Sequence, residues 1–252
     1  MVASPQISET GRQTVISCAG VTKTYGSGNS AVPALQGVEF EMRAGELLML
    51  EGPSGCGKTT LISVVAGLLP RDGGQCVVLG EDCDTMSPAK RTQFRGRNIG
   101  FVFQAFNLIP ALTAAENAAT PLLIQGRRQG EAIAAASKLL REVGFDDRMM
   151  RSLPEDLSGG QQQRVAIVRA MVHQPHLIVC DEPTSALDRA SGHLVMELMR
   201  RFALEQDRSL LVVTHDPRIF EFADRIAHME DGRITRVENR SGSRAGTAQD
   251  NL

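Results

Sequence analysis

Three short apolar runs dominate the hydropathy pattern, and each ends on polar residues. Glu46-Leu47-Leu48-Met49-Leu50-Glu51 leads into a glycine-rich loop, His176-Leu177-Ile178-Val179-Cys180 into Asp181-Glu182, and Ser209-Leu210-Leu211-Val212-Val213 into Thr214-His215-Asp216. Near-continuous apolar runs of this length suit parallel strands buried on both faces. Ligands in such sheets sit beyond the carboxyl ends of the strands, so the three polar clusters are predicted to meet in one site. The flanks read differently. Thr14 to Tyr25 and Leu35 to Met42 are predicted strands around a Gly26-Ser27-Gly28-Asn29-Ser30 turn, and Gln75 to Leu79 is a short strand after Asp72-Gly73-Gly74. Arg225 to Met229 and Arg233 to Val237 flank Glu230-Asp231-Gly232 as a hairpin.

Helical spacing covers Thr59 to Leu69, Glu131 to Val143 and Gly160 to His173, with stops at Pro70, Gly144 and Pro175. The pattern predicts an α/β fold with one domain over residues 14–238 and a helical insert at roughly 105–160. The polar ends, 1–13 and 239–252, are predicted to be a flexible arm and a disordered tail.

Composition narrows the classes. Lys+Arg 27 against Asp+Glu 29 over 252 residues leaves a net charge of -2, without the basic excess of a dedicated nucleic-acid binder. Aromatics make up 4%, with Tyr25 the single tyrosine and no tryptophan, which argues against a base-stacking platform for single strands. No stretch approaches the roughly 18 apolar residues of a membrane helix, and Met1 to Thr14 lacks the apolar core of a secretory signal. Cys18, Cys56, Cys76, Cys83 and Cys180 form no CxxC pair, which argues against a disulfide framework or zinc site and predicts a reducing cytoplasm. Pro175 breaks the helix between His173 and His176, so these two are not expected to form a metal pair.

The chemistry concentrates in motifs. Gly52-Pro53-Ser54-Gly55-Cys56-Gly57-Lys58-Thr59 fits the phosphate-loop pattern in full, after a predicted strand and before a predicted helix. Glycines let the backbone wrap phosphate oxygens, and the loop N–H groups and helix N-terminus face the anion. Lys58 adds charge near the β- and γ-phosphates, Thr59 is placed to ligate Mg²⁺, and Thr60 is the next candidate contact. Adjacent carboxylates after an apolar strand are costly unless they bind something. Asp181 suits the Mg²⁺ shell, and Glu182 suits the base that polarises an attacking water. In Leu157-Ser158-Gly159-Gly160-Gln161-Gln162-Gln163-Arg164, Ser158 reads as an N-cap, with Gly159 and Gly160 baring N–H groups at a helix start. This is a second candidate anion site. One phosphate loop and two such sites suggest two chains sharing two nucleotides.

These three segments, the last extending through Pro183-Thr184-Ser185-Ala186-Leu187-Asp188, resemble the nucleotide-binding subunit of ABC transporters over about Val15 to Val237. The resemblance implies a P-loop NTPase core with a mostly parallel sheet, an N-terminal antiparallel β subdomain and a helical insert. It implies ATP and Mg²⁺, a homodimer, and a peripheral position on the cytoplasmic face of the membrane beside an integral-membrane permease. Gln104, in Phe101-Val102-Phe103-Gln104, resembles the glutamine that reaches Mg²⁺ and the attacking water. His215 resembles the switch histidine on the γ-phosphate, Tyr25 the aromatic stacked on adenine, and Asp188 the aspartate that crosses the dimer interface. Ser158, Gly159, Gly160 and Gln161 would contact the nucleotide held by the opposite chain.

The stretch Gln93 to Gly126 is similar to the subgroup serving lipoprotein release and macrolide export, which implies an exporter. Its Ser185-Ala186 stands where lipoprotein-release members usually carry Gly-Asn. An importer ATPase, or an ATPase driving a signalling or cell-division complex, is the alternative. A P-loop kinase would have no use for the Leu157–Arg164 segment. A DNA-repair member of the superfamily would carry a long coiled-coil insertion, and a ribosome-acting one usually two nucleotide-binding domains.

Overall fold

The computed structural model describes residues 13–204 and 208–240. The predicted N-terminal arm, residue 13 aside, and the tail from 241 onward lie outside the described residues. Strands β1 (Thr14–Tyr25), β2 (Val32–Arg43) and β4 (Gly73–Val78) form an antiparallel sheet in the order β2-β1-β4. Strands β3 (Leu47–Glu51), β5 (Ile99–Val102), β6 (Leu177–Asp181), β7 (Ser209–Val213), β8 (Arg225–Glu230) and β9 (Arg233–Asn239) form a second sheet in the order β5-β6-β7-β3-β8-β9. That sheet is parallel except for β9, which returns antiparallel on β8 through the predicted hairpin.

Alternation explains the unbroken apolar runs. Leu47, Met49, Ile178, Cys180, Leu210 and Val212 pack into one core, while Leu48, Leu50, Leu177, Val179, Leu211 and Val213 pack into another. Successive side chains leave a strand on opposite faces, so a strand with a core on each side must be apolar throughout. Helix α1 (Lys58–Val65) buries Leu61 and Ile62 in the second core, together with the antiparallel sheet. Helices α3 (Ala114–Ile124), α4 (Gln129–Glu142), α5 (Asp147–Met150), α6 (Gly159–Met171) and α7 (Arg189–Leu204) pack on the first.

The predicted elements shift at their edges. α1 stops at Val65 rather than Leu69, because the chain turns at Gly67 with φ +64. β2 begins at Val32, before Leu35, since Tyr25 and Thr24 pair with Val32 and Pro33. Of the tail expected from 239, two residues are held in the fold: Asn239 closes β9 opposite Arg225, and the Arg240 N–H donates to the Asp224 carbonyl. Helix α2 (Pro88–Asn98) was not expected; it buries no residue, so it has no apolar stripe to read. The insert runs from α3 to the start of α6, where the capping boxes at Thr113 and Ser158 set both helix starts.

Candidate active site

β7 lies between β3 and β6, so the strand ends carrying the phosphate loop, Asp181-Glu182 and Thr214-His215 are neighbours. The three predicted polar clusters therefore meet. Backbone bonds lock the ends together: the Thr214 N–H donates to the Leu50 carbonyl and the Glu182 N–H to the Val213 carbonyl.

The loop between β3 and α1 is shaped by close approach. Gly57 has φ +106, and a Cβ there would stand 2.3 Å from the Ala34 carbonyl oxygen. A Cβ on Gly52 would stand 2.1 Å from the Met229 carbonyl oxygen. Neither position admits a side chain, which keeps the loop wrapped at the mouth of α1. The first N–H groups of a helix have no intrahelical partner and form an anion-binding end. Lys58 Nζ donates to the Gly52 and Pro53 carbonyls, each at 2.7 Å, so its ammonium is held over this loop.

Thr59 Oγ1 donates to Asp181 Oδ2 at 2.9 Å, which brings two of the three predicted Mg²⁺ ligands together, Gln104 being the third. Burial pushes the Asp181 carboxyl above its ordinary value; the Thr59 hydrogen bond opposes this, the Glu182 charge adds to it and Lys58 counters it. A buried carboxylate of this kind favours a nearby cation. Among the described residues no group of three or more His, Cys, Asp or Glu could hold a metal. A hydroxyl and a single carboxylate fit Mg²⁺, which is commonly bound by few protein oxygens together with substrate phosphates and water.

Glu182 is buried, and its φ of +53 lies in the left-handed region. That conformation costs a non-glycine residue about 1–2 kcal/mol, so its surroundings must hold it. His215 Nδ1 lies 2.7 Å from Glu182 Oε1. When the carboxylate is ionised it only accepts, and Nδ1 is then the donor. The ring itself is largely exposed. His215 is thus placed on Glu182. A further support was not read from the sequence. Gln163, fully buried on α6, donates from Nε2 to the Glu182 carbonyl and accepts the Ala186 N–H at Oε1, both at 3.0 Å. Helical periodicity puts residue 163 on the same stripe as buried Ile167 and Ala170. A polar residue on an apolar stripe is the sequence signal that points to it.

Tyr25 is exposed, with its hydroxyl 3.4 Å from Thr60 Oγ1, so the expected adenine platform stands beside α1. The other candidates stand apart from this cluster. Gln104 is exposed in the turn after β5, and no hydrogen bond among the described residues joins it to Thr59 or Asp181. The following loop is held instead by Arg169 of α6, whose Nη1 and Nη2 donate to the Asn107 and Phe106 carbonyls at 2.6 and 2.5 Å. Ser158 Oγ accepts the Gln161 N–H while Gln161 Oε1 accepts the Ser158 N–H. Gly159 and Gly160 open α6 against the 186–187 backbone turn, a Cβ on Gly160 falling 3.1 Å from the Ala186 carbonyl oxygen. Asp188 is exposed and caps α7, accepting the Ser191 N–H and hydroxyl at 3.0 and 2.7 Å. Those hydrogen bonds hold its carboxyl below the usual range.

The ABC transporter family model matches residues 35–185. An uncharacterized ABC transporter ATP-binding protein of Thermotoga maritima is 41% identical over 226 residues, 90% of this chain and 96% of its own. A lipoprotein-releasing system ATP-binding protein LolD of Anaeromyxobacter dehalogenans is 42% identical over 221 residues, 87% of this chain and 92% of its own. The dimeric post-hydrolysis structure of the ATP-binding cassette MJ0796, from Methanocaldococcus jannaschii and bound to ADP and Pi, matches with a TM-score of 0.86 at 36% identity. That match covers 90% of this chain and 99% of the other.

Proposed function

Since the chain belongs to the ABC transporter family and is one of its ATP-hydrolysing subunits, we propose that two copies clamp two ATP molecules and drive an integral-membrane exporter. The observation that carries the mechanism is the meeting of Lys58, Thr59, Asp181, Glu182 and His215 at three adjacent strand ends. In this reading the loop N–H groups and Lys58 hold the phosphates. Thr59 and Asp181 hold Mg²⁺, which when bound offsets phosphate charge. Glu182 takes a hydrogen bond from the attacking water and draws on its proton as the water oxygen bonds to the γ-phosphorus and the bond from phosphorus to the β–γ bridging oxygen breaks, ADP leaving with that oxygen. His215 holds the aim of that carboxylate through Nδ1, and its exposed edge is offered to the γ-phosphate. Tyr25 stacks on adenine, and Gln104 reaches the water from the turn after β5.

The Ser158–Gln161 segment of one copy closes over the nucleotide of the other, with Asp188 at the same contact. Support comes from the exposure of Ser158 and Gly159 and from the dimeric state of the MJ0796 cassette. An open apolar groove of about 400 Å³, lined by Leu68, Phe101, Phe103, Pro121 and Ile124, suits a helix of the permease. Leu68 and Ile124 are exposed there, and Phe103 immediately precedes Gln104. Among the described residues no helix is long and apolar enough to cross a membrane. Attachment to the cytoplasmic face runs through the permease in this reading, and the lipoprotein-releasing relatives support export.

The test is phosphate release by wild type and Glu182→Gln, with ATP binding measured alongside. The variant is expected to lose roughly 10²–10⁴-fold in turnover and to keep its ATP affinity. A wild-type rate would overturn the role of Glu182. Capture of the ATP-bound variant with its membrane partner tests the exporter reading. A four-helix partner with a large external domain supports it, and a many-helix channel-like permease overturns it.

A further inference from the structure

We infer that Gln163 is a positioning residue for hydrolysis, joining the α6 helix to the backbone of Glu182; the inference rests on Glu182 acting as the base. The amide can be oriented in one way only. The Glu182 carbonyl cannot donate and the Ala186 N–H cannot accept, so Nε2 faces the first and Oε1 the second. Gln163 has no exposure, so both bonds are made away from water, where an unmade partner is costly.

What the side chain holds is a strained turn. Glu182 sits at φ +53, and its carbonyl also accepts the Ser185 hydroxyl at 3.0 Å and the Ser185 N–H at 3.3 Å. The Ser185 bonds are local and move with the turn. The Gln163 bonds come from a different element and tie residues 182 and 186 to a helix with its own packing. That helix opens with the capped Ser158-Gly159-Gly160-Gln161 segment, so the turn of Glu182 and the segment proposed to meet the opposite nucleotide share one rigid support. A shift of α6 is thereby passed to the main chain of Glu182, and from there to the direction of its carboxylate. Gln163 reaches neither nucleotide nor metal ligand; it acts through Glu182.

Two variants separate this role from a merely structural one. Gln163→Leu keeps the size and removes both hydrogen bonds. Its kcat is expected to fall about 10- to 100-fold, the range that misplacement of a catalytic group costs, while KM and ATP affinity stay within about twofold of wild type. Gln163→Glu keeps the acceptor for Ala186 and offers a donor to the Glu182 carbonyl only when protonated. A buried carboxyl titrates above the ordinary value of about 4.3. Its kcat relative to wild type is expected to decline as pH rises through that titration. In a Glu182→Gln background, Gln163→Leu is expected to lower the residual rate much less than it does in wild type.

An unchanged kcat in Gln163→Leu, or equal losses with and without the Glu182 carboxylate, would overturn the inference. Should Gln163→Leu fail to fold, the pH profile of Gln163→Glu decides alone, and a profile parallel to wild type overturns it. A wild-type rate for Glu182→Gln alone would instead remove the base assignment, so the two failures are distinguishable.

Discussion

Burial of the Asp181 carboxylate beside Thr59 comes at a cost in stability. The Asp181 carboxyl is raised above 3.8 in the fold, first by burial, and returns toward 3.8 on unfolding. Between those two values the native state holds more protons than the unfolded one, so stability falls as pH rises through that window. Asp181→Asn is expected to remove this dependence and to gain stability relative to wild type toward neutral pH, as read by denaturant titrations across the acid and neutral range. Parallel curves for the two proteins would contradict the burial argument. Lys58 is held by two carbonyls of its own loop. Lys58→Ala is expected to weaken ATP binding about 10- to 100-fold, the weight of one or two charge-assisted hydrogen bonds. Equilibrium titration with a fluorescent ATP analogue measures it, and unchanged affinity would remove Lys58 from the phosphate site.

At the scale of elements, side chains that stitch loops to helices matter more than propensity. Asn117 of α3 is fully buried, and it accepts the Ile109 N–H while donating to the Ile109, Leu112 and Thr113 carbonyls. Its two amide hydrogens are shared among the three carbonyls, so one side chain ties down the loop entering the insert. Asn117→Ala is expected to cost about 2–4 kcal/mol and to lower Tm by roughly 5–12 °C. A loss below about 1 kcal/mol would mean that water replaces those bonds. Arg169 does the same for Phe106 and Asn107, both at positive φ, with two donors in a fixed fork. Helix α6 therefore carries the capped Ser158–Gln161 segment at its start, Gln163 one turn in, and Arg169 near its end.

For the whole molecule, the arrangement of surfaces predicts assembly. The phosphate loop and the Ser158 segment both reach the surface, and no hydrogen bond or ion pair among the described residues joins them within the chain. In the proposed pair each completes the other's site. Glu182→Gln with ATP is expected to elute at twice the monomer mass, and Ser158→Arg in that background to stay monomeric while still binding ATP. A monomeric Glu182→Gln at saturating ATP would count against the shared site.

Much of this was written in local pattern. The apolar runs at 47–50, 177–180 and 210–213 marked strands buried on both faces, because the period-two alternation leaves no polar face when a core lies on each side. Residues 52–59 and 158–161 announced the glycine-rich starts of α1 and α6, because glycine freedom and capping are properties of a few consecutive residues. Three-dimensional packing decided the rest. The strand order puts β7 between β3 and β6, which sets Thr59 on Asp181 and His215 on Glu182 across 122 and 33 residues of chain. The holds of Gln163 on Glu182 and of Arg169 on Phe106 and Asn107 likewise link backbone groups to side chains on other elements. Such bonds depend on where distant segments come to rest, and no local spacing encodes that. The sequence by itself determined the chemistry available to this protein; the tertiary structure decided which atoms hold one another in place to perform it.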